Sequence, residues 1–194
     1  MTATGSTAPR AADRETPPRR HAAVLIPLLR DAHGDLRLVV VRRTDGGPHG
    51  GQLAFPGGGR SPEDASPWET ALREAQEEIG LPPERVARLA ELDPLDTLTT
   101  RFRIHPFLGW VRRPPRWSLQ ESEIAEVLEP RVAVLLEPGA HVFDTVPLPR
   151  GGRYGPTPGY RVGEHLLWGA SYRILHPLLP RLAAGEWPAP DDDL

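Results

Sequence analysis

The stretch FPGGGRSPEDASPWETALREAQEEIGL, residues 55–81, joins three consecutive glycines to a segment with helix signals at both ends. Ser66 suits the N-cap, a proline follows at the first helical position, and Glu69 completes a capping box. Gly80 can adopt the left-handed conformation that ends a helix, and a proline follows shortly after it. The sequence therefore predicts a glycine turn and then a helix over Pro67–Ile79.

On this helix one face is apolar and the neighbouring face is acidic. Glu74, Glu77 and Glu78 fall within an arc of about 100°, where like charges repel by roughly 0.2–0.5 kcal/mol per pair. A solvated acidic face is one interpretation. The other is a site for a hard cation such as Mg²⁺ or Mn²⁺, because the glycine turn over 57–59 leaves backbone oxygens exposed beside the carboxylates. The apolar stripe consists of Trp68, Ala71, Leu72, Ala75 and Ile79.

These residues resemble the box of the Nudix hydrolases, which has a glycine, an acid, the pattern Arg-Glu-x-x-Glu-Glu-x-Gly and an apolar residue. The match runs from Gly58 to Leu81. Asp64 lies one residue earlier than the commonest spacing, which would place the acid at Ala65. This offset is similar to that of the coenzyme A diphosphatase branch of the family.

The resemblance extends from about His21 to Leu182, through HGGQLAFPGG, LDTLTTRFRIHPFLG and LLWGASYRIL. It implies an α/β fold, the Nudix-type α/β/α sandwich with a mixed β-sheet. We expect a disordered extension over 1–20, one Nudix domain over 21–184 and a loose tail over 185–194.

Several further elements are expected from hydrophobic pattern and turn residues. Trp168–Leu182 reads as a second helix that Pro177 and Pro180 kink or shorten. The expected strands are Ala22–Leu29, Leu36–Arg43, Gln52–Phe55, Val86–Leu92, Phe102–Val111, Ile124–Leu128, His141–Val146 and Tyr160–Val162, with a short helix over Val132–Leu136.

The resemblance also implies roles for the acidic residues. Glu74, Glu77 and Glu78 coordinate one or more Mg²⁺ or Mn²⁺ ions, with the Gly58 carbonyl as an extra ligand, and Glu74 acts either as a ligand or as the base. Such ions would neutralise diphosphate oxygens and lower the pKa of a bound water. Arg73 is expected to brace the carboxylates rather than to touch substrate.

A second acidic patch follows at Glu121, Glu123 and Glu126. Nudix proteins often carry an additional base or ligand on a later loop, and Glu123 is the best candidate here. Ordinary solubilising charge is the alternative for all of them. Asp64, close to the helix start, is interpreted as a turn-former.

Four arginines are candidates for holding a substrate phosphate: Arg42 and Arg43 at the end of a predicted strand, and Arg101 and Arg103 around the threonine-rich loop. Each has surface charge as its alternative explanation. Gly47 is a departure, because the coenzyme A branch usually carries an arginine there. We therefore expect coenzyme A to be hydrolysed with a raised KM.

Composition narrows the chemistry further. All 23 basic residues counted as Lys or Arg are arginines, and cysteine is absent. Schiff-base lysines, thiolate nucleophiles and the P-loop lysine are thus excluded, and the motifs HExxH and GxSxG do not occur. A net charge of −3 gives no reason to expect a nucleic-acid surface.

The function expected from the resemblance is cleavage of coenzyme A or its thioesters into 3′,5′-ADP and 4′-phosphopantetheine or its acyl derivative. A diphosphatase for ADP-ribose or another nucleoside diphosphate derivative would share the metal residues. A non-catalytic Nudix-like regulator is the alternative from another class. We expect a cytoplasmic protein with no membrane or nucleic-acid partner, and a homodimer is left open.

Overall fold

The computed structural model describes residues 19–46, 49–97, 100–114, 116–148 and 151–190. Most of the predicted N-terminal extension, the end of the predicted tail and Gly47 lie outside these ranges. Arg19 and Arg20 lie inside them. Arg20 begins the first strand, and the Arg19 side chain forms an ion pair with Asp96.

The described residues form twelve strands and three helices. A single 3₁₀ turn over Pro83–Arg85 follows the first helix. The strands are β1 (Arg20–Arg30), β2 (Leu36–Leu38), β3 (Val40–Arg43), β4 (Leu53–Ala54), β5 (Gly57–Gly59), β6 (Val86–Glu91), β7 (Leu95–Asp96), β8 (Phe102–Val111), β9 (Ile124–Leu128), β10 (His141–Pro147), β11 (Arg153–Val162) and β12 (His165–Trp168), and the helices are α1 (Pro67–Ile79), α2 (Val132–Leu135) and α3 (Gly169–Ala183).

The main sheet is mixed and has β1 at its centre. β1 pairs with β8 in parallel and with β2 and β5 in antiparallel orientation, while β6 and β7 are antiparallel to β8. A second sheet has the order β4-β3-β9 and a third the order β10-β11-β12, both antiparallel.

Alternation along β1 explains how the layers assemble. Leu25 and Leu29 belong to a core formed with α1, whereas Ile26 and Leu28 belong to a second core that includes α3. Successive side chains of a strand point to opposite faces, so β1 is covered on both sides. The predicted α/β/α sandwich with a mixed sheet is confirmed.

The prediction of one strand over Leu36–Arg43 is wrong. The segment divides into β2 and β3, which join different sheets. At the division the backbone amide of Val39 donates to the Pro27 carbonyl. Hydrophobic patterning alone cannot show this change of partner, because Val39, Val40 and Val41 are all buried.

The three glycines form a strand rather than the predicted turn. Gly57–Gly59 pair with residues 22–24 of β1. At Gly57 the φ angle is +155°, and an added Cβ would lie 2.3 Å from the Ala23 carbonyl oxygen. Glycine is therefore required there for close approach of two backbones.

The prolines were expected to kink or shorten the last helix, and they do not shorten it, since α3 continues past Pro177 and Pro180 to Ala183. A proline inside a helix costs about 3 kcal/mol. Four leucines of α3 are almost completely buried, and each contributes about 1.5–3 kcal/mol, so burial offsets the cost. These are Leu175, Leu178, Leu179 and Leu182.

Candidate active site

Helix α1 is held at both ends as its sequence predicts. The Ser66 hydroxyl accepts from the Glu69 amide at 3.2 Å. Glu69 in turn accepts from the Ala65 amide at 2.9 Å, one residue before the position expected for a capping box. Gly80 has φ 65°, and its amide donates to the Gln76 carbonyl. These caps fix where the acidic face of α1 meets β5.

Glu78 is the most buried carboxylate on that face, with 2% of its surface exposed. One oxygen accepts from the Gly57 amide and the other from the Arg43 guanidinium, both at 3.0 Å. Burial raises the pKa of Glu78 to about 7, against the opposing effects of these two donors. The Glu74 charge adds to the increase.

Glu74 lies directly against the glycine strand. An added Cβ on Gly58 would lie 2.3 Å from a Glu74 carboxylate oxygen, so only glycine allows this carboxylate to reach the backbone there. Burial raises the pKa of Glu74, and the neighbouring charges of Glu77 and Glu123 raise it further. The Gly58 backbone and the Glu74 carboxylate are thus brought together as expected.

Arg73 braces these carboxylates from the outer side of α1. Its Nη1 atom lies 2.9 Å from Glu74 and 3.0 Å from Glu77. Its Nη2 atom donates to the Gly59 carbonyl at 3.1 Å. One cationic nitrogen is therefore shared by two carboxylates of the acidic face.

Asp64 does more than form a turn, which corrects the interpretation made from sequence. It is 6% exposed and binds the Arg73 guanidinium at 3.0 and 3.1 Å. It also accepts from the Ser61 amide and the Thr70 hydroxyl. Its hydrogen bonds, that of Arg73 foremost, hold the pKa of Asp64 well below its usual range and raise that of Arg73. The one-residue offset of this acid in the box was the sequence signal for it.

Arg43 and Glu123 reach the site from the second sheet. The Arg43 guanidinium donates to Glu78 and, at 3.1 Å, to Glu123 on the loop before β9. The Glu123 amide donates to the Gln120 carbonyl, and the Gln120 amide donates to the carbonyl of Glu78. This loop is therefore anchored to α1 itself.

The other predicted phosphate-binding arginines lie elsewhere. Arg42 faces Glu126 and Asp45, at 3.5 and 3.7 Å. Arg103 is exposed on β8, opposite His21 of β1, and Arg101 precedes that strand with φ 57°. Arg43, by contrast, contacts the acidic cluster. This cluster consists of Asp64, Glu74, Glu77, Glu78 and Glu123.

Glu121 is exposed, and Glu126 is engaged by Arg42 on β3. Of the second acidic patch, Glu123 is the residue that meets Arg43 beside α1.

In the described ranges no three His, Cys, Asp or Glu side chains are grouped as a preformed metal site. The residues nevertheless fit a divalent cation. Glu74 and Glu77 already converge on one cationic nitrogen of Arg73, and the Glu74 charge lies close enough to Glu78 to help raise its pKa. Carboxylate and backbone oxygens are the donors that Mg²⁺ and Mn²⁺ prefer.

Comparison with known proteins agrees with this geometry. The model of the NUDIX domain family matches residues 19–145. The uncharacterized Nudix hydrolase NudL of Citrobacter koseri is 39% identical over 155 residues, which cover 79% of this chain and 73% of that protein. The chain belongs to the Nudix family, and it is an enzyme of the Nudix hydrolase class.

Solved structures with lower identity share the fold. The Nudix hydrolase RenU from M. smegmatis matches with a TM-score of 0.58 at 15% identity, covering 87% of this chain and 88% of that chain. The NUDIX domain of Shewanella oneidensis NrtR, solved with ADP-ribose, matches with a TM-score of 0.55 at 14% identity, covering 88% and 92%. None of the helices in the described part of this chain has the length and hydropathy of a membrane span.

Proposed function

We propose that this enzyme hydrolyses the diphosphate linkage of coenzyme A or its thioesters, using Mg²⁺ or Mn²⁺ held by Glu74, Glu77, Glu78 and the Gly58 carbonyl. The observation that carries the proposal is the burial of Glu78 beside Glu74, with raised pKa values at both. Buried carboxylates are expensive unless something compensates them.

Charge balance at the cluster points to a cation as that compensation. Asp64, Glu74, Glu77, Glu78 and Glu123 share the guanidinium groups of two arginines through direct ion pairs. A cluster with this excess of negative charge repels an anionic diphosphate. A divalent ion between the two removes the repulsion, so the same residues can serve a diphosphate substrate only with the metal present.

When bound, the ion would neutralise charge at the phosphate oxygens and lower the pKa of the attacking water. Glu123 would accept the proton of the attacking water, since its carboxylate lies 3.1 Å from the same Arg43 guanidinium that binds Glu78. The water oxygen forms the new bond to phosphorus, and the bond from phosphorus to the bridging oxygen breaks. The products are 3′,5′-ADP and 4′-phosphopantetheine. Asp64 holds Arg73, which keeps Glu74 and Glu77 in place.

Coenzyme A is favoured over other diphosphates by the position of Asp64 in the box and by the resemblance outside it. ADP-ribose is the second candidate, because it occupies the NrtR NUDIX domain, whose fold this chain shares. A cytoplasmic location and a homodimer stay predictions.

The test is hydrolysis of coenzyme A, ADP-ribose and nucleoside triphosphates by the purified protein, with Mg²⁺ or Mn²⁺ and with EDTA. We expect metal-dependent release of 3′,5′-ADP from coenzyme A at the highest kcat/KM of the panel. Efficient cleavage of ADP-ribose with coenzyme A left intact would overturn the substrate assignment and leave the metal site standing.

A further inference from the structure

A cavity of about 480 Å³ lies between the loop that joins β3 to β4 and the sheet β10-β11-β12. The volume falls in the range of small-molecule sites, about 300–1,000 Å³. Gly51 and Gln52 line one side. The rest of the lining combines Arg153, Arg161 and Trp168 with the carboxylates Asp45, Asp144 and Glu164, of which Asp144 pairs with Arg161 and Asp45 with Arg42.

The cavity adjoins the acidic cluster through one residue, Arg43. The Gly51 amide donates to the Arg43 carbonyl at 3.2 Å, and the Arg43 amide donates to the Gln52 carbonyl at 3.0 Å. The side chain of the same arginine binds Glu78 and Glu123. The backbone of Arg43 therefore bonds to residues of the cavity lining, while its side chain binds the carboxylates.

The sheet side of the cavity presents an aromatic surface. Trp168, at the end of β12, lies in the lining, and the Tyr154 ring, just outside the lining, contacts it at a tilt of 32° with ring centroids 5.5 Å apart. Tyr154 is 53% exposed. Accessible aromatic rings stack nucleobases, at about 1–3 kcal/mol per base.

Arg153 supplies positive charge to the same lining as Trp168. Its guanidinium is held by the hydroxyl and the carbonyl of Thr145, both at 2.6 Å. Among the described residues it has no carboxylate partner, whereas Arg161 in the same lining pairs with Asp144 at 3.0 Å. A fixed guanidinium without a counter-ion is suited to a phosphate group.

We propose that this cavity binds the nucleoside-phosphate half of the substrate, with the base on Trp168 and Tyr154 and a phosphate on Arg153. The proposal rests on the proposed function, because it requires a substrate with a nucleoside on one side of the cleaved diphosphate. It makes the β10–β12 sheet, which lies largely outside the NUDIX match over 19–145, the part that selects the substrate.

Binding of product halves without metal tests the proposal apart from catalysis. Calorimetry in EDTA compares 3′,5′-ADP with 4′-phosphopantetheine on wild type, Arg153→Gln and Tyr154→Ala. We expect Arg153→Gln to lower the affinity for 3′,5′-ADP by about tenfold or more, because one charge-assisted contact is lost. Tyr154→Ala should weaken it by about fivefold or more. Neither variant should change the affinity for 4′-phosphopantetheine.

Arg181→Gln is the matched control, because Arg181 is an exposed arginine on α3 that pairs with Glu186 and does not line the cavity. It should bind both ligands as wild type does. Three results would each overturn the proposal. Both cavity variants could bind 3′,5′-ADP with wild-type affinity, they could lose as much affinity for 4′-phosphopantetheine as for 3′,5′-ADP, or wild type could fail to bind 3′,5′-ADP. Failure of the proposed function would appear separately, as absence of metal-dependent coenzyme A hydrolysis.

Discussion

Glu78 shows at the scale of one residue how a binding site costs stability. Its carboxylate is shielded from water, its hydrogen-bond donors in the described part of the chain are the Gly57 amide and Arg43, and burial raises its pKa to about 7. A carboxyl group whose pKa is higher in the folded than in the unfolded protein stabilises the fold only while it is protonated. Stability is therefore lost as the pH rises from about 4.3, the usual pKa of glutamate, toward 7.

We predict that Glu78→Gln makes the metal-free protein more stable than wild type at pH 8, by about 1–3 kcal/mol, because it removes the buried charge. The advantage should shrink as the pH falls and disappear below about pH 4.3, the usual pKa of glutamate. Urea unfolding in EDTA at several pH values measures it. Addition of Mn²⁺ should then stabilise wild type and leave the variant unchanged, since only a native-state ligand shifts unfolding. A variant less stable than wild type throughout would contradict this account of Glu78.

The effect of Asp64 on stability should have the opposite pH dependence to that of Glu78, because Arg73 lowers the pKa of Asp64. Its contribution is present above the usual aspartate pKa of about 3.9 and is lost as the pH falls below it. We predict that Asp64→Asn costs about 2–4 kcal/mol at pH 7, since it leaves the Arg73 charge without its buried partner.

In urea unfolding, the difference between the free energies of unfolding of wild type and Asp64→Asn should decrease below pH 4. The exposed neighbour Glu63 provides the control, because Glu63→Gln should leave the free energy of unfolding close to that of wild type. A gap for Asp64→Asn that stays constant from pH 7 to pH 3 would show that the ion pair is not its cause.

At the scale of elements, α1 depends on Gly80 for its ending. The residue has φ +65°, and an added Cβ would lie 2.7 Å from the Ser118 Cβ atom. A left-handed conformation costs a residue with a side chain about 1–2 kcal/mol. We predict that Gly80→Ala destabilises the protein by about 2–4 kcal/mol, as measured by denaturant unfolding.

Gly34 distinguishes the cost of the left-handed conformation from that of the contact with Ser118, because its φ is +83° and an added Cβ would meet nothing within 4 Å. Gly34→Ala should therefore show the conformational cost alone. Equal losses at both glycines would mean that contact with Ser118 contributes nothing.

Elements with local signals were predictable from the sequence. The bounds of α1, β8 and β9 agree with the expected ranges, since caps and alternating apolar residues are contained within each segment. Elements that depend on a distant partner were not. The strand at Gly57–Gly59 exists because β1 pairs with it, and β12 was missed because its pairing with β11 is tertiary information.

The residues of the candidate site fall into the same two groups, those with a local sequence signal and those that the fold brings together. The spacing of Glu74, Glu77 and Glu78 on one helix was enough to group them, and a known box gave Arg73 its place. The contact of Arg43 with Glu78 spans 35 residues, and that with Glu123 spans 80. No local pattern distinguishes Arg43 from Arg42, yet alternation along β3 turns one toward α1 and the other away from it.

At the scale of the whole molecule, two cores meet on β1 and leave the acidic face of α1 beside the second sheet. The protein has a formal charge of −3, so no general positive field draws in an anionic substrate. We therefore expect attraction to be local, from Arg43, from the cavity arginine Arg153 and from the cation that we propose for the carboxylates.

The central claim is that the carboxylates of α1 hold the ion that makes hydrolysis possible, and the most direct measurement is the rate of coenzyme A cleavage by Glu78→Gln at saturating Mn²⁺. We predict a loss of at least about a hundredfold, or about 2.7 kcal/mol of transition-state stabilisation, in a protein that remains folded. Glu69→Gln, nine residues earlier on the same helix, should keep a rate within about threefold of wild type, since the Glu69 carboxylate accepts from the Ala65 amide at the helix cap, away from the acidic face. Near-normal turnover by Glu78→Gln under these conditions would contradict the account.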